Sequence, residues 1–234
     1  MKPLIITIDG PVASGKSTVA HLLARKLGIK HLGSGLFYRA IAHVVLHNHP
    51  SCTLEDEQLR PYLDPDRFTY RWADDGQAYI AYDHVDITSQ LKTPTIDACA
   101  ARLAERAIMR DFILIMQHTL AQQHSLVAEG RDLGSVVFPH ATVKFFLTAE
   151  LQVRARRWQV LQKKLGTELS VHEALDLVAQ RDTRDRERAL APLIIPDNAF
   201  IIDASDKNPE EIVECMMQHI NEKRADLEST RFSL

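Results

Sequence analysis

The residues best suited to chemistry form a glycine-rich stretch near the start of the chain, which ends in a lysine followed by two hydroxyl residues. Gly10, Gly15, Lys16 and Ser17 follow the pattern Gly-x4-Gly-Lys-Ser. Glycines at this spacing let backbone N–H groups close around phosphate oxygens, the lysine reaches the β- and γ-phosphates, and the serine hydroxyl can bind Mg²⁺. The pattern therefore predicts a loop that binds a nucleoside triphosphate. The residues expected to contact it are Gly10, Pro11, Val12, Ala13, Ser14, Gly15, Lys16, Ser17 and Thr18.

Three arginines further along the chain form a second candidate group. Arg181, Arg184 and Arg188 are spaced three and four apart, so a helix would place them on one face, beside Asp182 and Asp185. One interpretation is a solvated helix with internal ion pairs. The other is a cluster that neutralises charge on a phosphoryl group during transfer. The phosphate-binding loop favours the second, because the planar guanidinium pairs with two phosphate oxygens at once.

A third candidate group follows the apolar run at residues 126–128. Glu129, Arg131 and Asp132 come where parallel sheets place ligand-binding groups, outside the carboxyl end of a strand. Glu129 can hold Mg²⁺ through a water molecule. The alternative is a capped corner between a strand and a helix; the ligand site is the favoured interpretation.

Hydrophobic periodicity predicts alternating strands and helices around these groups. Strands are expected at residues 4–8, 30–32, 126–128, 143–147 and 199–202. Helices are expected at residues 18–28, 36–46, 93–123, 150–165, 171–189 and 208–224, of which 93–123 would be the longest. Thr93-Pro94 and Asn208-Pro209 each supply an N-cap and a first-turn proline. The alternation predicts an α/β fold.

Residues 61–89 interrupt this alternation. Two β-prone runs, 67–72 and 78–82, are joined by Asp74-Asp75-Gly76, which predicts a β-hairpin inserted at one end of the sheet. The hairpin aromatics either stack on a base or pack against the neighbouring sheet, and packing is the favoured interpretation. They are Tyr70, Trp72 and Tyr79.

The composition is that of a globular protein without a polymeric partner. The 234 residues are 45% hydrophobic, enough for a packed core. Lys and Arg total 28 against 31 for Asp and Glu, so the chain lacks the basic excess typical of nucleic-acid binders. We expect no targeting segment, because a short strand begins at once, and no membrane span, because the apolar runs are short.

The cysteines give a further expectation. Cys52, Cys99 and Cys215 are widely separated and show no Cys-x-x-Cys spacing, so we expect neither a disulfide framework nor a zinc site. This cysteine usage suits the reducing cytoplasm.

Four sequence blocks, in this order and at this spacing, carry a resemblance to a known family. They are Ile6-Thr7-Ile8-Asp9-Gly10-Pro11 with the loop through Ser17, Ser34-Gly35 with Tyr38-Arg39, Ala128-Glu129-Gly130-Arg131-Asp132-Leu133-Gly134 with Val136-Val137-Phe138-Pro139, and Arg181-Asp182-x-x-Asp185-x-x-Arg188-x-x-x-Pro192. With them the chain resembles the bacterial cytidylate kinases over residues 4–225. The resemblance implies transfer of the γ-phosphate of ATP to CMP or dCMP, with these nucleotides as partners and Mg²⁺ as cofactor.

The resemblance also implies a P-loop kinase fold. This α/β fold has a central five-stranded parallel sheet flanked by helices, a monophosphate-binding insertion that contains the β-hairpin, and a short lid. The implied segments are a core at 1–60, 93–166 and 193–225, the insertion at 61–92 with part of the following helix, the lid at 167–192, and a flexible tail at 226–234. We expect a monomer.

By the same resemblance, the site has a donor half and an acceptor half. The implied catalytic residues are Lys16, Arg131, Arg181 and Arg188. The donor half adds Arg154 and Arg157 to the loop, and Ser17 and, through water, Glu129 hold Mg²⁺. The acceptor half comprises Ser34, Tyr38, Arg39, Lys92, Arg110, Arg131, Asp132, Arg181, Asp185 and Arg188. Because the acceptor phosphate is already ionised near neutral pH, transfer needs alignment and charge neutralisation rather than a general base.

Four positions depart from the family pattern. Gly33 stands where the family usually has an acidic residue, Lys92 where it has Arg, Ala101 where it has Ser, and Trp158 where it has another Arg. Lys92 keeps the charge but loses bidentate geometry. Ala101 lacks a hydroxyl expected near the cytosine, which weakens discrimination roughly three- to tenfold.

These departures keep two other functions open. The first is a P-loop kinase of a small alcohol metabolite, which would need a carboxylate base near the acceptor hydroxyl. Gly33 counts against it, because the obvious carboxylate is missing there. The second is a nucleotide-binding module that has lost activity.

Overall fold

In the computed structural model, which describes residues 3–231, short apolar runs form a central sheet. The strands of the structure are β1 (Ile5–Asp9), β2 (Lys30–Gly33), β3 (Phe68–Trp72), β4 (Ala78–Tyr82), β5 (Val85–Asp86), β6 (Leu126–Gly130), β7 (Val143–Thr148) and β8 (Phe200–Asp203). Five of them lie side by side in the order β2-β6-β1-β7-β8, and every neighbouring pair is parallel. The predicted five-stranded parallel sheet is therefore confirmed.

Helices cover both faces of this sheet. They are α1 (Lys16–Leu27), α2 (Ser34–Asn48), the single turn α3 (Asp56–Leu59), α4 (Pro94–Leu103), α5 (Ala107–Gln123), α6 (Leu151–Lys164), α7 (Val171–Glu187) and α8 (Pro209–Arg231). The predicted N-caps are confirmed: Thr93 Oγ1 accepts from Ile96 N at 3.2 Å, and Asn208 Oδ1 accepts from Glu211 N at 2.9 Å. Across residues 3–231, no helix combines the length and apolar character that crossing a membrane requires.

Apolar side chains form one cluster on each face of the sheet. Along β6, Leu126 and Ala128 belong to the cluster beneath α2 and α5, whereas Val127 belongs to the cluster beneath α1 and α8. This alternation follows from the two-residue period of a strand. Each fully buried large side chain, such as Phe145, contributes about 1.5–3 kcal/mol to stability. The sheet is thus a rigid platform, and its carboxyl edge can hold a site in fixed geometry.

The inserted hairpin is confirmed and belongs to a second, antiparallel sheet in the order β3-β4-β5. Its aromatic residues pack against the core. The Tyr70 ring stacks on Phe37 with centroids 4.9 Å apart, and its hydroxyl accepts from Gly33 N at 3.1 Å. Trp72 Nε1 donates to the His31 carbonyl at 2.5 Å. The insertion is therefore fastened along β2, an edge strand of the central sheet.

The prediction of a single long helix at 93–123 is wrong, because the chain leaves the helical conformation at residues 104–106. Arg106 has an extended backbone, with φ −96° and ψ 131°. Its guanidinium donates to the Leu54 carbonyl and pairs with Asp56 at 2.5 Å. These tertiary contacts override helix propensity and divide the segment into α4 and α5. The longest helix is α8, with 23 residues.

The end of the chain also differs from expectation. The last helix was expected to end near residue 224 and to be followed by a flexible tail at 226–234, but α8 continues to Arg231. Residues 226–231 are therefore helical, and the rest of the expected tail lies outside the described residues. At the other terminus, residues 1–2 of the expected first core segment also lie outside them.

Two of the cysteines form a disulfide, so the expectation for them is wrong. Cys52 follows α2, Cys99 lies on α4, and their Cα atoms are 5.9 Å apart. Both residues are buried, whereas Cys215 is free and partly exposed. The pairing could not be predicted from the sequence, because the two cysteines are 47 positions apart and only the packing of α4 against the end of α2 brings them together. The cysteines therefore no longer support a reducing compartment.

Candidate active site

The carboxyl edge of the sheet brings the predicted groups together. Asp9, the last residue of β1, pairs with Gly130, the last residue of β6, so the loops that follow them are neighbours. Glycine is required at these turns. A Cβ on Gly10 would lie 2.0 Å from the Leu147 carbonyl oxygen, and one on Gly130 would lie 2.6 Å from Ser34 Oγ. Gly10 therefore lets the loop backbone pass close to β7, and Gly130 lets the end of β6 pass close to Ser34.

Lys16 lies buried at the start of α1, at the floor of the loop. Its Nζ donates to the Pro11 carbonyl at 2.6 Å and contacts Ser14 Oγ at 3.3 Å. Burial lowers the pKa of Lys16 well below its ordinary value, and the nearby Arg131 lowers it further. Glu129, Asp185 and Asp9 act in the opposite direction but do not offset burial, so an anionic ligand next to Lys16 would favour its charged form.

Ser17 and Glu129 form the predicted magnesium pair. Ser17 Oγ donates to Glu129 Oε1 at 2.9 Å across the gap between α1 and the end of β6. Hydroxyl and carboxylate oxygens suit Mg²⁺, which binds through one or two protein groups together with phosphates and water. Among the side chains that the structure describes, those of residues 3–223, no group of three or more His, Cys, Asp or Glu is arranged to hold a metal. The donor set therefore fits a nucleotide-bound Mg²⁺ rather than a protein-caged ion.

Asp9 is a buried carboxylate at this site that the site prediction did not include. Its carboxylate is fully buried and accepts from Leu133 N at 2.8 Å and from Gly134 N at 2.7 Å. These groups begin a π-helical turn, Leu133–Val137, directly after Arg131 and Asp132. Burial raises the pKa of Asp9 to about 6. The sequence did contain a signal for this role: an aspartate directly follows the apolar run of a buried strand. A charged group in that position needs hydrogen-bond partners nearby.

The predicted acceptor residues form a network of ion pairs. Arg131 Nε lies 2.7 Å from Asp185 Oδ2, and Arg39 Nε lies 2.7 Å from Asp97 Oδ1. Burial would raise the pKa of Asp185, but Arg131 and neighbouring arginines outweigh it and hold this pKa below its ordinary value. Residues from four elements are thereby cross-linked around one space.

Asp132 joins two further arginines of the predicted site. It pairs with Arg110 of α5, and its other oxygen lies 3.4 Å from Arg188 Nη2. Arg188 Nε also donates to the Ala191 carbonyl at 2.6 Å. Tyr38 Oη accepts from Arg110 Nη1 at 3.4 Å, and burial raises the pKa of Tyr38 to about 12, so the phenol keeps its proton.

Arg181 has a different environment. Its guanidinium carbon lies 5.5 Å from the centroid of the Trp158 ring on α6. Burial lowers the pKa of Arg181, and Arg131 lowers it further. Arg181 and the exposed Arg184 lie on α7, and Arg188 follows the end of this helix. All three line the same cleft, although Arg188 reaches it from just beyond the helix and not from the predicted helix face.

This cleft has a volume of about 530 Å³ and runs from the phosphate loop to α4. The predicted site residues that line it are Val12, Ala13, Gly15, Lys16, Ser17, Thr18, Ser34, Tyr38, Arg39, Lys92, Glu129, Arg131, Asp132, Arg181, Asp185 and Arg188. Gly10, Pro11, Ser14 and Arg110 lie behind this lining. The candidate donor and acceptor halves thus share one continuous space.

Two predicted donor-side arginines lie behind the phosphate loop instead of in the cleft. Arg154 donates to the Ala149 carbonyl at 2.8 Å and the Val12 carbonyl at 3.3 Å, and it pairs with Asp182 at 2.7 Å. Arg157 donates to the Ser14 carbonyl at 3.3 Å and the Ala204 carbonyl at 2.6 Å. Both hold the loop backbone from behind.

Comparison with known sequences identifies relatives over almost the whole chain. A family model described as "Cytidylate kinase" matches residues 6–222. The chain belongs to the cytidylate kinase family. A cytidylate kinase of Shewanella sp. (strain W3-18-1) is 37% identical over 224 residues, covering 94% of this chain and 95% of the relative. One of Pseudomonas savastanoi pv. phaseolicola (strain 1448A / Race 6) is 38% identical over 222 residues, covering 94% and 96%.

Among solved structures, TT1252 from Thermus thermophilus superposes with a TM-score of 0.48 at 18% identity, covering 95% of this chain and 98% of that chain. Membership of the cytidylate kinase family rests on the sequence relatives.

The four departures from the cytidylate kinase pattern lie in or beside the cleft. Lys92, Ala101 and Trp158 line it, and Gly33 lines an adjoining cavity of about 380 Å³. A Cβ on Gly33 would lie 3.3 Å from Glu129 Oε1. The acidic side chain that the family resemblance implies at this position would therefore stand next to the Ser17–Glu129 pair.

Proposed function

We propose that the protein transfers the γ-phosphate of ATP to CMP or dCMP, giving ADP and CDP or dCDP. The observation that carries this proposal is the state of the carboxylates inside the cleft. Asp97, Asp132 and Asp185 are each paired with arginine, and Glu129 accepts from Ser17. The remaining acidic residue of the lining is Glu105, which is exposed beyond the end of α4. A carboxylate engaged in this way is a poor general base, because its lone pairs and charge are already satisfied.

This observation supports one of the two kinase hypotheses over the other. An alcohol acceptor must lose a proton, so its kinase needs a carboxylate facing the hydroxyl. An acceptor phosphate needs no such base, and it requires cations instead. The cleft offers Arg39, Lys92 and Arg131 beside the phosphate loop. A nucleoside monophosphate is therefore the acceptor that suits this chemistry.

On the donor side, we assign the triphosphate to the loop from Gly10 to Thr18. Backbone N–H groups and the start of α1 would cradle its phosphates, and Lys16 would reach the β- and γ-oxygens. Ser17 and, through water, Glu129 would hold Mg²⁺, which neutralises charge on the β- and γ-phosphates when bound. Arg154 and Arg157 would contribute by holding the loop backbone.

On the acceptor side, we assign the CMP phosphate to Arg39, Lys92 and Arg131. Ser34 and Asp132 would face the cytosine, and Arg110, which contacts Tyr38, would support Asp132 from behind the lining. Asp185 would contact the pentose. Arg181 and Arg188 would neutralise charge on the phosphoryl group as it moves between the two nucleotides, together with Lys16 and Arg131.

Two segments would enclose the reaction. The insertion at 61–92 and the lid at 167–192 are proposed to close over the nucleotides, with the core formed by 1–60, 93–166 and 193–225. Closure would keep water away from the γ-phosphate, which water would otherwise accept. We further propose a cytoplasmic monomer, which sedimentation with and without nucleotides would test.

The test is a panel of acceptors. The protein is incubated with ATP and Mg²⁺ and with CMP, dCMP, UMP, AMP, shikimate or gluconate, and ADP release is measured. Transfer to CMP and dCMP supports the proposal, and preferential transfer to a sugar acid or shikimate would replace it. Calorimetric binding of ATP and CMP without ADP formation would instead indicate a binding module without activity.

A further inference from the structure

Arg181 is held differently from the arginines around it. Arg39, Arg131 and Arg188 each have a carboxylate oxygen within 3.4 Å. In the described part of the chain, no carboxylate lies at ion-pair distance from Arg181. It lies instead over the face of the Trp158 ring, with its guanidinium carbon 5.5 Å from the ring centroid. An aromatic ring therefore occupies the place that an acidic residue takes elsewhere in this site.

Trp158 is one of the positions that depart from the family pattern, where an arginine is usual. The residue projects from α6 toward α7 and lines the cleft between them. Its Nε1 is buried and has no hydrogen-bond partner among the described residues. An arginine at 158 would place a second cation beside Arg181, whereas the electron-rich ring face attracts the guanidinium.

The two ways of holding an arginine have different chemical consequences. A carboxylate takes up guanidinium N–H donors and cancels the charge, so a phosphate must displace it. A ring face orients the planar guanidinium from one side and leaves its edge donors and its charge available. An arginine that must meet a phosphoryl group only in the transition state gains from the second arrangement, because little must be broken first.

We propose that Trp158 is a positioning residue that orients Arg181 for the transferring phosphoryl group. This inference rests on the proposed function, in which Arg181 contacts that group. Cation–π contacts of partly buried pairs correspond to about five- to thirtyfold in an equilibrium. Because the contact would act through Arg181 in the transition state, its loss lowers kcat and leaves the KM for ATP and CMP within about twofold.

The kinetic test compares Trp158→Leu, which removes the ring, with Trp158→Phe, which keeps a smaller one. We expect about five- to thirtyfold lower kcat for Trp158→Leu and recovery of most of the activity in Trp158→Phe. Val160→Ala, an exposed site on the same helix, is the matched control and should keep wild-type kinetics. Wild-type kcat in Trp158→Leu, or equal losses in the Leu and Phe variants, would overturn the proposal.

A spectroscopic test covers the case in which Trp158→Leu fails to fold. The chain has two tryptophans, so Trp72→Phe leaves Trp158 as the sole indole reporter. Adding ATP and CMP should change its emission as Arg181 turns toward phosphate. Adding Arg181→Met should alter the emission before nucleotide is added and remove most of the nucleotide response, while calorimetry still detects binding. An identical response with and without Arg181 would overturn the proposal.

The outcomes also separate this inference from the function on which it rests. If the wild type transfers phosphate to CMP and Arg181→Met abolishes transfer while Trp158→Leu has no effect, only the positioning role is lost. If the wild type transfers to no monophosphate, the proposed function is lost, and with it the catalytic meaning of the Trp158 contact.

Discussion

Asp9 gives the prediction that can be calculated most directly, through the substitution Asp9→Asn. The side chain is fully buried, and burial raises its pKa from an ordinary value of 3.8 to about 6. Between these two pH values the native state holds the Asp9 proton and the unfolded chain releases it. The free energy of unfolding of the wild type therefore falls as the pH rises through this window. Over the whole window, the free energy of unfolding falls by about 3 kcal/mol.

Asn keeps the shape of the side chain but does not titrate. All other ionisable groups are common to both proteins, so the difference between their unfolding free energies isolates Asp9. From about pH 5 to about pH 7.5, that difference should shift by roughly 1.4 kcal/mol in favour of the variant. Loss of one backbone hydrogen bond adds a pH-independent offset of about 1.5–3 kcal/mol against it.

The assay is urea unfolding of both proteins at the two pH values, with two probes to test for two-state behaviour. Asp111→Asn, at an exposed aspartate of α5, is the control and should show no such shift. Parallel pH profiles for the wild type and Asp9→Asn would refute the reasoning, since they would mean that Asp9 ionises alike in both states. Turnover of Asp9→Asn should fall as well, because Arg131 and Asp132 precede the turn that Asp9 holds.

Three further predictions concern other parts of the molecule. Lys16→Ala should lower turnover more than about a hundredfold without lowering the unfolding midpoint, because the fold disfavours this buried ammonium; near wild-type kcat would mean that Lys16 lies outside the reacting site. Ala101→Ser should improve discrimination for CMP over UMP about three- to tenfold by restoring a hydroxyl to the cleft, and an unchanged kcat/KM ratio would place the cytosine elsewhere. Reduction of the Cys52–Cys99 disulfide should lower the free energy of unfolding by about 2–4 kcal/mol, since the bond closes a long loop. A Cys215→Ser variant should lose the same amount on reduction, whereas Cys52→Ser should show no response to the reductant.

The main elements could be predicted because their apolar patterns are local. The strand before Gly10, the helix after it and the strand before Glu129 all follow from periodicity. The rule that ligands gather at the carboxyl ends of parallel strands then places Arg131 beside the phosphate loop. The pairing of Asp9 with Gly130 agrees with that expectation.

The features that escaped prediction depend on contacts between distant parts of the chain. The break before α5 depends on Arg106 binding the loop at Leu54. Strand β5 consists of two residues, both exposed, and is defined by its pairing with β4. A segment this short has no hydrophobic periodicity that could predict it. The family resemblance implied that Arg154 lies on the donor side of the site, and only the packing of α6 shows that it faces the back of the phosphate loop.

The side chains that line the cleft carry a net positive charge, whereas the chain as a whole carries a net negative charge. Seven basic and five acidic side chains line the space, whereas the whole sequence carries a formal net charge of −3. The remainder of the protein must therefore be more acidic than the whole, and positive potential is concentrated in one enclosed place. Field lines from such a cleft are focused by its low-dielectric walls. We therefore expect small anions to be drawn to the cleft more strongly than to the rest of the surface, which carries the excess negative charge.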